Sequence, residues 1–394
     1  MPMKIAFCCG CLEPGRDGVG DYVRRLGAEF ARHGHSAIAV ALHDPYVSKI
    51  EASEQKSEAT SLPVLRIPNS LPWPQRVDAA REWLRGQKPD WMSLQFVPFG
   101  YHPKGLCFGF GKSLAALNGN TPWHVMFHEL WLGLGDDATL KARVWGELQR
   151  RILLDAVRRL RPRVMQTQAE PYRLALDRVN IQANILPLFS NIPIAAGDGW
   201  NSLLSALITE AAGTALGRGQ LYLAGVLGGV HPEWSADRAV DTLLPLVQKS
   251  GKRLALVFHG KNHLSPEAIQ KIKTSLQGRA LVVVTGERSS ADISLIMQTL
   301  DLGLATSPLQ VIQKSGSVVA MLEHGLPILI IRDDWHLRGA KPQVATNPRL
   351  LTPEKFAALQ TLPVRNPALA ADNGIKNVAE QMLSSLAAAT PQGA

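Results

Sequence analysis

The chain has 394 residues, of which 46% are hydrophobic and 19% charged, a composition that excludes a disordered chain and is typical of globular proteins. No apolar run reaches the roughly 20 residues needed to cross a bilayer. The formal net charge of +9 predicts a surface that attracts anions such as phosphorylated ligands or anionic lipid. The N-terminus leads directly into a predicted strand, without the layout of a signal peptide, which favours a cytoplasmic location.

Three of the four cysteines, Cys8, Cys9 and Cys11, lie in or just after the first predicted strand. Residues this close in an extended strand do not easily bridge one another. Thiolates are good metal ligands, but no second Cys/His pair follows at the spacing of a zinc finger. We expect reduced, packed cysteines and no metal, with a metal site as the less favoured alternative.

The chain opens with a βαβ unit whose first turn is rich in glycine. The predicted elements are a strand at Lys4–Cys9, a helix at Asp21–His33 and a strand at Ser36–Leu42. The turn before the helix contains Gly18 and Gly20, but Val23 replaces the last glycine of a dinucleotide fingerprint. These glycines therefore predict a ligand that approaches the backbone rather than an NAD site.

The αβ alternation continues through the first half of the chain. The predicted elements are a helix at Trp73–Gln87, a strand at Trp91–Phe96, a helix at Leu106–Leu117, a strand at Trp123–Phe127 and a strand at Arg163–Thr167. Ligands bind at the carboxyl ends of strands in such sheets, so the loop with Tyr101 and His102 is a candidate for lining a cleft. His128 follows a strand in the same way and precedes a carboxylate, Glu129; a structural and a functional histidine are both open there.

A basic helix is predicted within Lys141–Arg163. Val144, Leu148, Ile152 and Leu160 recur at helical spacing, which predicts that they form its buried side. The opposite side carries a dense set of arginines. A solvated face is the favoured interpretation. The alternative is a surface that docks on an anionic membrane or binds nucleic acid, although no recognised nucleic-acid module accompanies the helix.

Prolines and Asn191 within Ile185–Pro193 predict that the chain leaves its first domain there. A second αβ series follows, which implies a parallel sheet covered by helices. Its predicted strands are Leu221–Val226, Arg253–Phe258, Ala280–Thr285, Leu302–Thr306 and Ile328–Ile331. Its predicted helices are Asp237–Gln248, Pro266–Leu276 and Ala291–Gln298.

An anion-binding loop is predicted at Lys314, Ser315, Gly316 and Ser317, where small residues open a helix. The free amides of a helix N-terminus and the helix dipole attract a phosphate or diphosphate, and Lys314 adds a full charge. The alternative is an ordinary βαβ crossover with a tight loop.

Several short motifs, in this order, are similar to those of the glycosyltransferase family 4 group. They are Gly18 to Tyr22, the GHS turn at Gly34, HEL at His128, NIP at Asn191, FHGK at Phe258 and EHGLP at Glu323. The resemblance implies an α/β GT-B fold of two Rossmann-like domains with parallel sheets facing a central cleft. We expect an acceptor-side domain at 1–190, a nucleotide-sugar domain at 191–365, and a C-terminal helix with a frayed tail at 366–394.

The resemblance also implies roles for the candidate residues. The donor diphosphate would contact Lys261 and Lys314, assisted by the amides of Ser315, Gly316 and Ser317, and Glu323 would lie on the donor side. His128 would lie beside the donor sugar as the catalytic candidate. Gly18 and Gly20 would face the phosphate and the transferred sugar. Tyr101 and His102 are the acceptor-side candidates.

The activity implied is transfer of a sugar from a nucleotide-diphosphate donor to a saccharide or lipid-linked acceptor, with retention and without a metal or another cofactor. The partners are thus the donor, the acceptor and a possible inner membrane face at the basic helix, with no nucleic acid. A degenerate GT-B protein that binds a ligand without catalysis is the second hypothesis. An epimerase or phosphorylase with the same phosphate pocket is the third.

The chain departs from the family pattern at its paired glutamates. Ile312 and Ala320 occupy those positions, and neither Gln313 nor Glu323 is a clean substitute. The second glutamate normally holds the nucleotide ribose, so the departure bears on donor use. The arginine usual after the first strand of the second domain is not evident either, and His231 occupies that neighbourhood.

Overall fold

The computed structural model describes residues 2–57, 60–117, 119–343, 347–371 and 374–390. The chain divides into two compact units. The first unit comprises Met1–Pro187, His336–Pro342 and Ile375–Ala394, and the second comprises Leu188–Trp335 and Gln343–Gly374. The chain therefore returns to the first unit twice after the second has begun.

The α-helices follow the predicted alternation with strands. In chain order they are α1 Gly18–Arg32, α2 Trp73–Gln87, α3 Pro98–Tyr101, α4 Phe110–Ala115, α5 Leu140–Leu160, α6 Glu170–Asp177, α7 Ser205–Ala212, α8 Ala236–Lys249, α9 Pro266–Ser275, α10 Ser290–Thr299, α11 Gly316–Glu323, α12 Pro353–Ala357 and α13 Gly374–Ala389. Shorter 3₁₀ segments include Leu309–Lys314. The predicted helix at Leu106–Leu117 is confirmed only as the shorter α4.

The first unit is built on one sheet, which has eight strands among the described residues. The strands are β1 Lys4–Cys9, β2 Ser36–Asp44, β3 Glu51–Ser57, β4 Thr60–Pro68, β5 Trp91–Phe96, β6 Trp123–Phe127, β7 Val164–Thr167 and β8 Asn184–Ile185. Their order is β3-β4-β2-β1-β5-β6-β7-β8. All neighbours pair in parallel except β3, which runs antiparallel to β4. The five strands predicted here are confirmed within two residues.

The second unit has a parallel sheet, six-stranded over the part of the chain that the structure describes. Its strands are β9 Leu221–Leu227, β10 Arg253–His259, β11 Leu281–Gly286, β12 Leu302–Ala305, β13 Ile328–Ile330 and β14 Leu350–Leu351. Their order is β11-β10-β9-β12-β13-β14. Each face of this sheet carries its own hydrophobic cluster. Strands buried on both faces explain the continuous apolar runs in the sequence.

The cysteines at the end of β1 are packed, as predicted. Cys8, Cys9 and Cys11 are free and buried. Burial raises the pKa of the Cys8 thiol to about 12, so this side chain stays protonated and behaves as a small hydrophobe.

The buried side of the basic helix α5 differs from the predicted one. Gly146, Gln149, Leu153, Ala156 and Leu160 are buried, whereas Val144 is 57% exposed. Of the predicted stripe, Leu160 is buried, Leu148 and Ile152 are half-buried, and only Val144 is exposed. The reason is close backbone packing, since a side chain at Gly146 would overlap the carbonyl oxygen of Leu132. Small residues let two backbones pack closely. The spacing of large apolar residues does not predict this kind of contact.

Replacing Gly146 with Ala should destabilise the first unit, because the new Cβ meets backbone that cannot rotate away. We expect the free energy of unfolding to fall by about 3 kcal/mol, as for overpacked cores. The matched control is Gly86→Ala in helix α2, where the added Cβ meets nothing within 4 Å. That change should raise stability by about 0.5 kcal/mol through helix propensity. Urea unfolding of both variants measures the difference; equal midpoints would contradict this packing.

Within 366–394, where a helix and a frayed tail are predicted, helix α13 spans Gly374–Ala389, and residues 391–394 lie outside the described residues. In the described parts of the chain, no helix is long and apolar enough to cross a membrane.

Candidate functional site

Three neighbouring strands of the second unit place their carboxyl-end loops side by side. The loop after β9 contacts both neighbours: the Gly228 amide donates to the carbonyl of His259 at 3.0 Å, and the Thr306 hydroxyl donates to the carbonyl of Gly229 at 3.0 Å. The loop after β10 carries Lys261, and the loop after β12 leads to the start of α11. These contacts bring the predicted lysine loop and the predicted anion loop to one rim of the sheet.

Lys261 is exposed and follows Gly260, whose φ of +75° suits glycine. The turn at Gly260 separates the buried β10 from a loop that faces solvent. A lysine ammonium in this position is available to a phosphate as a point charge.

The start of α11 is a helix N-terminus without a side-chain cap. Ser315 occupies the N-cap position, but its hydroxyl accepts no hydrogen bond from the helix amides. Instead it accepts from the Ser307 hydroxyl at 3.2 Å and lies 3.1 Å from the Ser317 hydroxyl. Gly316 is exposed, and Lys314 directly precedes the cap. The first-turn amides of α11 therefore donate no hydrogen bond to the serine side chain at the N-cap, although serine is a residue that normally accepts one there.

Four other helices of the second unit have a side-chain cap. The side chains that accept a first-turn amide are Ser235 before α8, Ser265 before α9, Ser289 before α10 and Thr352 before α12. Serine at the N-cap of α11 is therefore compatible with capping but does not cap. An anion placed there would take the hydrogen bonds that a cap supplies elsewhere.

Glu323 does not join this group. It lies at the opposite end of α11, where its carboxylate accepts the backbone amide of Ser190 at 3.2 Å and its carbonyl accepts the amide of Ala371 at 3.0 Å. A side chain at Gly374 would overlap the same carboxylate. Glu323 therefore holds the segments of Ser190 and Ala371 against the end of α11. The motif predicted that it would lie on the donor side, but it does not lie beside the anion loop.

The positions of the missing family glutamates are part of the core. Ile312 and Ala320 are 2% and 1% exposed and belong to one hydrophobic cluster. A carboxylate at either position would be buried among apolar side chains. The chain thus has no carboxylate at either position to hold a nucleotide ribose.

Arg332 was not predicted, yet it connects three loops of this rim. Its guanidinium donates to the Thr306 carbonyl at 3.0 Å and forms ion pairs with Glu233 and Asp334. The hydrogen bond from Arg332 lowers the pKa of Asp334 to about 2. The two carboxylates neutralise Arg332, so it orders the rim rather than offering a free charge to a phosphate. His231, in the same loop as Glu233, is exposed.

In the first unit, the glycine-rich turn begins α1 with a tight cap. The Asp17 carboxylate accepts the amide of Gly20 at 2.6 Å. A Cβ on Gly20 would lie 2.6 Å from the carbonyl oxygen of Cys11, whereas a Cβ on Gly18 would meet nothing within 4 Å. Gly20 is required for packing within the turn, and Gly18 is the glycine that leaves the backbone open.

His128 lies against this turn. Its ring meets that of Tyr22 in α1 edge to face, with centroids 5.0 Å apart. Its backbone amide donates to the carbonyl of Phe96 at 3.1 Å, which fixes the loop after β6 to β5. The structure thus brings His128 and the helix that begins at Gly18 together. Both follow the carboxyl ends of strands, β6 and β1, which lie on either side of β5.

A row of buried hydrogen-bonded side chains extends from His128 through the sheet. In order it comprises His128, Gln95, Ser93, His124, Gln166 and Ser385. Successive contacts measure 2.8, 2.7, 2.8, 3.1 and 3.4 Å. The row crosses three neighbouring strands and ends on α13. The alternation of Ser93 and Gln95 in β5 is its signal in the sequence, but the pairing of these residues with His124 of β6 depends on strand register.

The row has one direction of hydrogen bonding. The Gln95 amide nitrogen donates to Ser93, so its oxygen is the atom that accepts from His128 Nε2. The proton of a neutral His128 ring therefore lies on Nε2, and Nδ1 carries the lone pair. Burial lowers the pKa of His124 to about 3, so that ring stays neutral and donates from Nε2 to Gln166.

Replacing Gln95 with Leu should release the His128 tautomer. Without the acceptor at 2.8 Å, Nε2–H loses its fixed partner and the ring distributes its proton over both nitrogens. Nitrogen chemical shifts of the imidazole report the tautomer directly. Gln166→Leu is the control, because it breaks the row at its far end without touching His128. An unchanged His128 spectrum in Gln95→Leu would contradict this assignment.

The two acceptor-side candidates have different environments. Tyr101 is 3% exposed, and its hydroxyl lies 2.9 Å from the carbonyl oxygens of both Cys8 and Gln95. Burial raises its pKa well above the usual range. Its hydroxyl therefore supports the loop. His102 is half-buried and lines a cavity of about 540 Å³.

Residues 17–167, which include the turn at Gly18 and His128, match the family model described as a glycosyl transferase 4-like domain. The matched stretch lies within the first unit. No curated protein gives a significant sequence match to the chain.

Solved structures resemble the whole chain. HepE of Anabaena, in complex with UDP and glucose, has a TM-score of 0.59 at 14% identity, covering 98% of this chain and 100% of HepE. The α,α-trehalose 6-phosphate synthase of Burkholderia multivorans has a TM-score of 0.56 at 11% identity, covering 100% of both chains. At such identities the likeness shows the fold. The chain has the GT-B fold, with two parallel-sheet domains, as predicted.

Proposed function

We propose that the chain is a glycosyltransferase that transfers a sugar from a nucleoside-diphosphate donor to a saccharide or lipid-linked acceptor. The observation that carries the proposal is the uncapped N-terminus of α11, which follows Lys314 and shares a rim with the loop of Lys261. The match of residues 17–167 to the glycosyl transferase 4-like family model supports the same activity.

The chemistry of transfer needs stabilisation of the departing diphosphate. Negative charge develops on the leaving oxygen, and preorganised donors placed there lower the barrier. The amides of Gly316 and Ser317, with Lys314 and Lys261, supply the positive charge that Mg²⁺ supplies in other enzymes. We therefore propose a metal-independent reaction, with retention of configuration. His128 is the proposed catalytic residue of the first unit.

UDP is the nucleotide to test first, because HepE was solved with UDP and with UDP-glucose. The experiment is calorimetric titration with UDP, GDP and ADP and with the corresponding monophosphates UMP, GMP and AMP. We expect one nucleoside diphosphate to bind, and its monophosphate to bind about ten-fold more weakly, because a helix N-terminus contacts the terminal phosphate. Failure of every diphosphate to bind would refute the donor site.

A second candidate function is ligand binding without catalysis. It is favoured by the apolar burial of Ile312 and Ala320, which leaves both family glutamate positions without a carboxylate. Incubation with UDP-glucose separates the two functions: a glycosyltransferase slowly releases UDP and transfers glucose to an added saccharide, whereas a binding protein gives neither product.

We also propose that α5 contacts an anionic membrane. The helix carries six basic and two acidic residues, and each acid is shared: Glu147 by Arg150 and Arg151, and Asp155 by Arg158 and Arg159. Net positive charge therefore remains, beside exposed Leu140 and Val144. Vesicles containing phosphatidylglycerol should co-sediment the protein, and phosphatidylcholine vesicles should not; equal sedimentation would count against this contact.

A further inference from the structure

The cavity that His102 lines in the first unit lies at the carboxyl ends of β2, β4 and β5, beside the start of α2. It has a volume of about 540 Å³. Its lining includes His43, Asn69, Trp73, Arg76, His102 and Phe108. Phe108 is 68% exposed at its wall, and Trp73 is half-buried. Aromatic faces of this kind stack on the apolar faces of sugar rings or on other planar groups.

Arg76 brings a buried positive charge to this cavity. The residue is 8% exposed, and its guanidinium donates to the carbonyls of Leu71, Leu42 and Asn69 and to Nδ1 of His43. All these acceptors are neutral. Within the described residues, no carboxylate forms an ion pair with Arg76, in contrast to Arg66 nearby, which pairs with Asp44 and Glu13.

Burial lowers the pKa of Arg76, as expected for a cation that has left water without a counter-ion. Buried charges in proteins are normally paired, because an unpaired one is costly. The neutral carbonyls, and the Trp73 ring whose centroid lies 5.5 Å from the guanidinium carbon, hold the guanidinium in place without cancelling its formal charge. An ion pair with an anionic ligand would offset the free-energy cost of burying this guanidinium.

Two histidines of the lining are fixed as donors. His43 Nδ1 accepts from Arg76 at 2.8 Å, and His102 Nδ1 accepts from the backbone amides of Lys104 and Leu106 at 3.1 and 3.3 Å. With Nδ1 occupied, the proton of each neutral ring lies on Nε2. The polar groups fixed in this lining are therefore a cation and two N–H donors.

We propose that this cavity is the acceptor subsite and that it binds a saccharide carrying a carboxylate or phosphate. That the ligand is an acceptor rests on the proposed function. That the ligand is an anion rests on Arg76, His43 and His102. The anion pairs with Arg76 and accepts from the imidazole Nε2–H groups, while the sugar ring lies against Trp73 or Phe108.

The test compares three probes in calorimetric titrations: methyl β-D-glucoside, methyl β-D-glucuronide and glucose 6-phosphate. A charged partner for a buried guanidinium should tighten binding about ten-fold over the neutral glucoside. Comparing the affinities of the glucuronide and of glucose 6-phosphate shows whether the site prefers a carboxylate or a phosphate. Equal affinity for all three probes, or no binding of either anion, overturns the proposal.

Variants keep the test independent of folding. Arg76→Gln should reduce the anion preference to about two-fold, whereas Arg81→Gln, which alters an exposed arginine of α2 paired with Asp78, should leave it intact. Because Arg76 holds three carbonyls, Asn69→Asp provides a second variant: Asn69 is exposed, and a carboxylate there repels the ligand. Ser70→Asp is its control. Retained preference in both Arg76→Gln and Asn69→Asp overturns the proposal.

A titration with UDP on the same protein separates the two hypotheses. Binding of UDP without any preference among the sugars refutes the anionic acceptor alone. Binding of the anionic sugar without any nucleoside diphosphate refutes the donor site, and with it the name acceptor, while the anion site itself stands.

Discussion

Lys314→Ala is expected to lower turnover about a hundred-fold, the effect of removing one donor that stabilises developing negative charge. Lys314 precedes the uncapped α11, so in the proposed donor complex its ammonium and the first-turn amides would act on the same phosphate. The lysine charge matters more as the diphosphate departs than in the bound donor. Turnover should therefore fall further than UDP affinity, for which we expect about a ten-fold loss.

The matched control is Lys271→Ala, which removes an exposed lysine from α9 in the same unit. It changes the net charge equally and should leave turnover and UDP affinity unchanged. Lys261→Ala should resemble Lys314→Ala, because both loops lie on one rim. Initial rates with the donor found by titration, together with calorimetry, measure both quantities. Wild-type turnover in Lys314→Ala and in Lys261→Ala would remove the diphosphate site from this rim.

The central strands could be predicted because parallel strands are covered on both faces and so appear as short apolar runs. The β3–β4 hairpin shows the limit of this rule. The strand Glu51–Ser57 has the sequence EASEQKS, lies at the edge of the sheet and is mostly exposed. Charged residues protect an edge strand from unwanted pairing and also remove the pattern by which a strand is predicted.

The candidate site was predictable where it depends on local sequence and not where it depends on register. Lys314 to Ser317 form a helix start, which nearby residues decide. The row from His128 to Ser385 instead needs β5, β6 and β7 in one register and a helix from the end of the chain. Arg76 illustrates the same point, since its lack of an acidic partner among the described residues is visible only in three dimensions.

Glu323 shows how a motif can mislead. The EHGLP segment resembles the family, and its glutamate suggested a donor contact. In the structure, the helix of eight residues separates Glu323 from the anion loop by about 10 Å, at 1.5 Å per residue. The motif correctly predicted the helix and the following strand, whereas the function of its carboxylate depended on segments distant in sequence, near Ser190 and Ala371.

Acid should destabilise both units through two buried histidines. Burial lowers the pKa of His124 in the first unit and of His259 in the second to about 3, from an ordinary 6.5. Below pH 6.5 these two histidines bind protons in the unfolded chain, whereas in the folded protein they stay neutral until the pH approaches 3. The free energy of unfolding therefore falls as the pH falls towards 3. Each ring contributes about 1.4 kcal/mol per pH unit, or about 2.7 kcal/mol between pH 6.5 and about pH 4.5.

His259 offers the cleaner test, because neither of its ring nitrogens has a hydrogen-bond partner among the described residues and the side chain is fully buried. His259→Leu removes both the titration and two unpaired polar atoms. Stability at neutral pH should therefore rise by about 1 kcal/mol. The loss on acidification should shrink by about 2.7 kcal/mol between pH 6.5 and about pH 4.5.

The control is His231→Gln, which replaces an exposed histidine of the same unit and should preserve the acid sensitivity. Urea unfolding followed by tryptophan fluorescence at several pH values measures both effects. If His259→Leu lost stability in acid as steeply as the wild type, the buried ring would not be the group that the unfolded chain protonates. The acid sensitivity of the second unit would then arise from carboxylates such as Asp334, whose ion pair with Arg332 lowers its pKa to about 2.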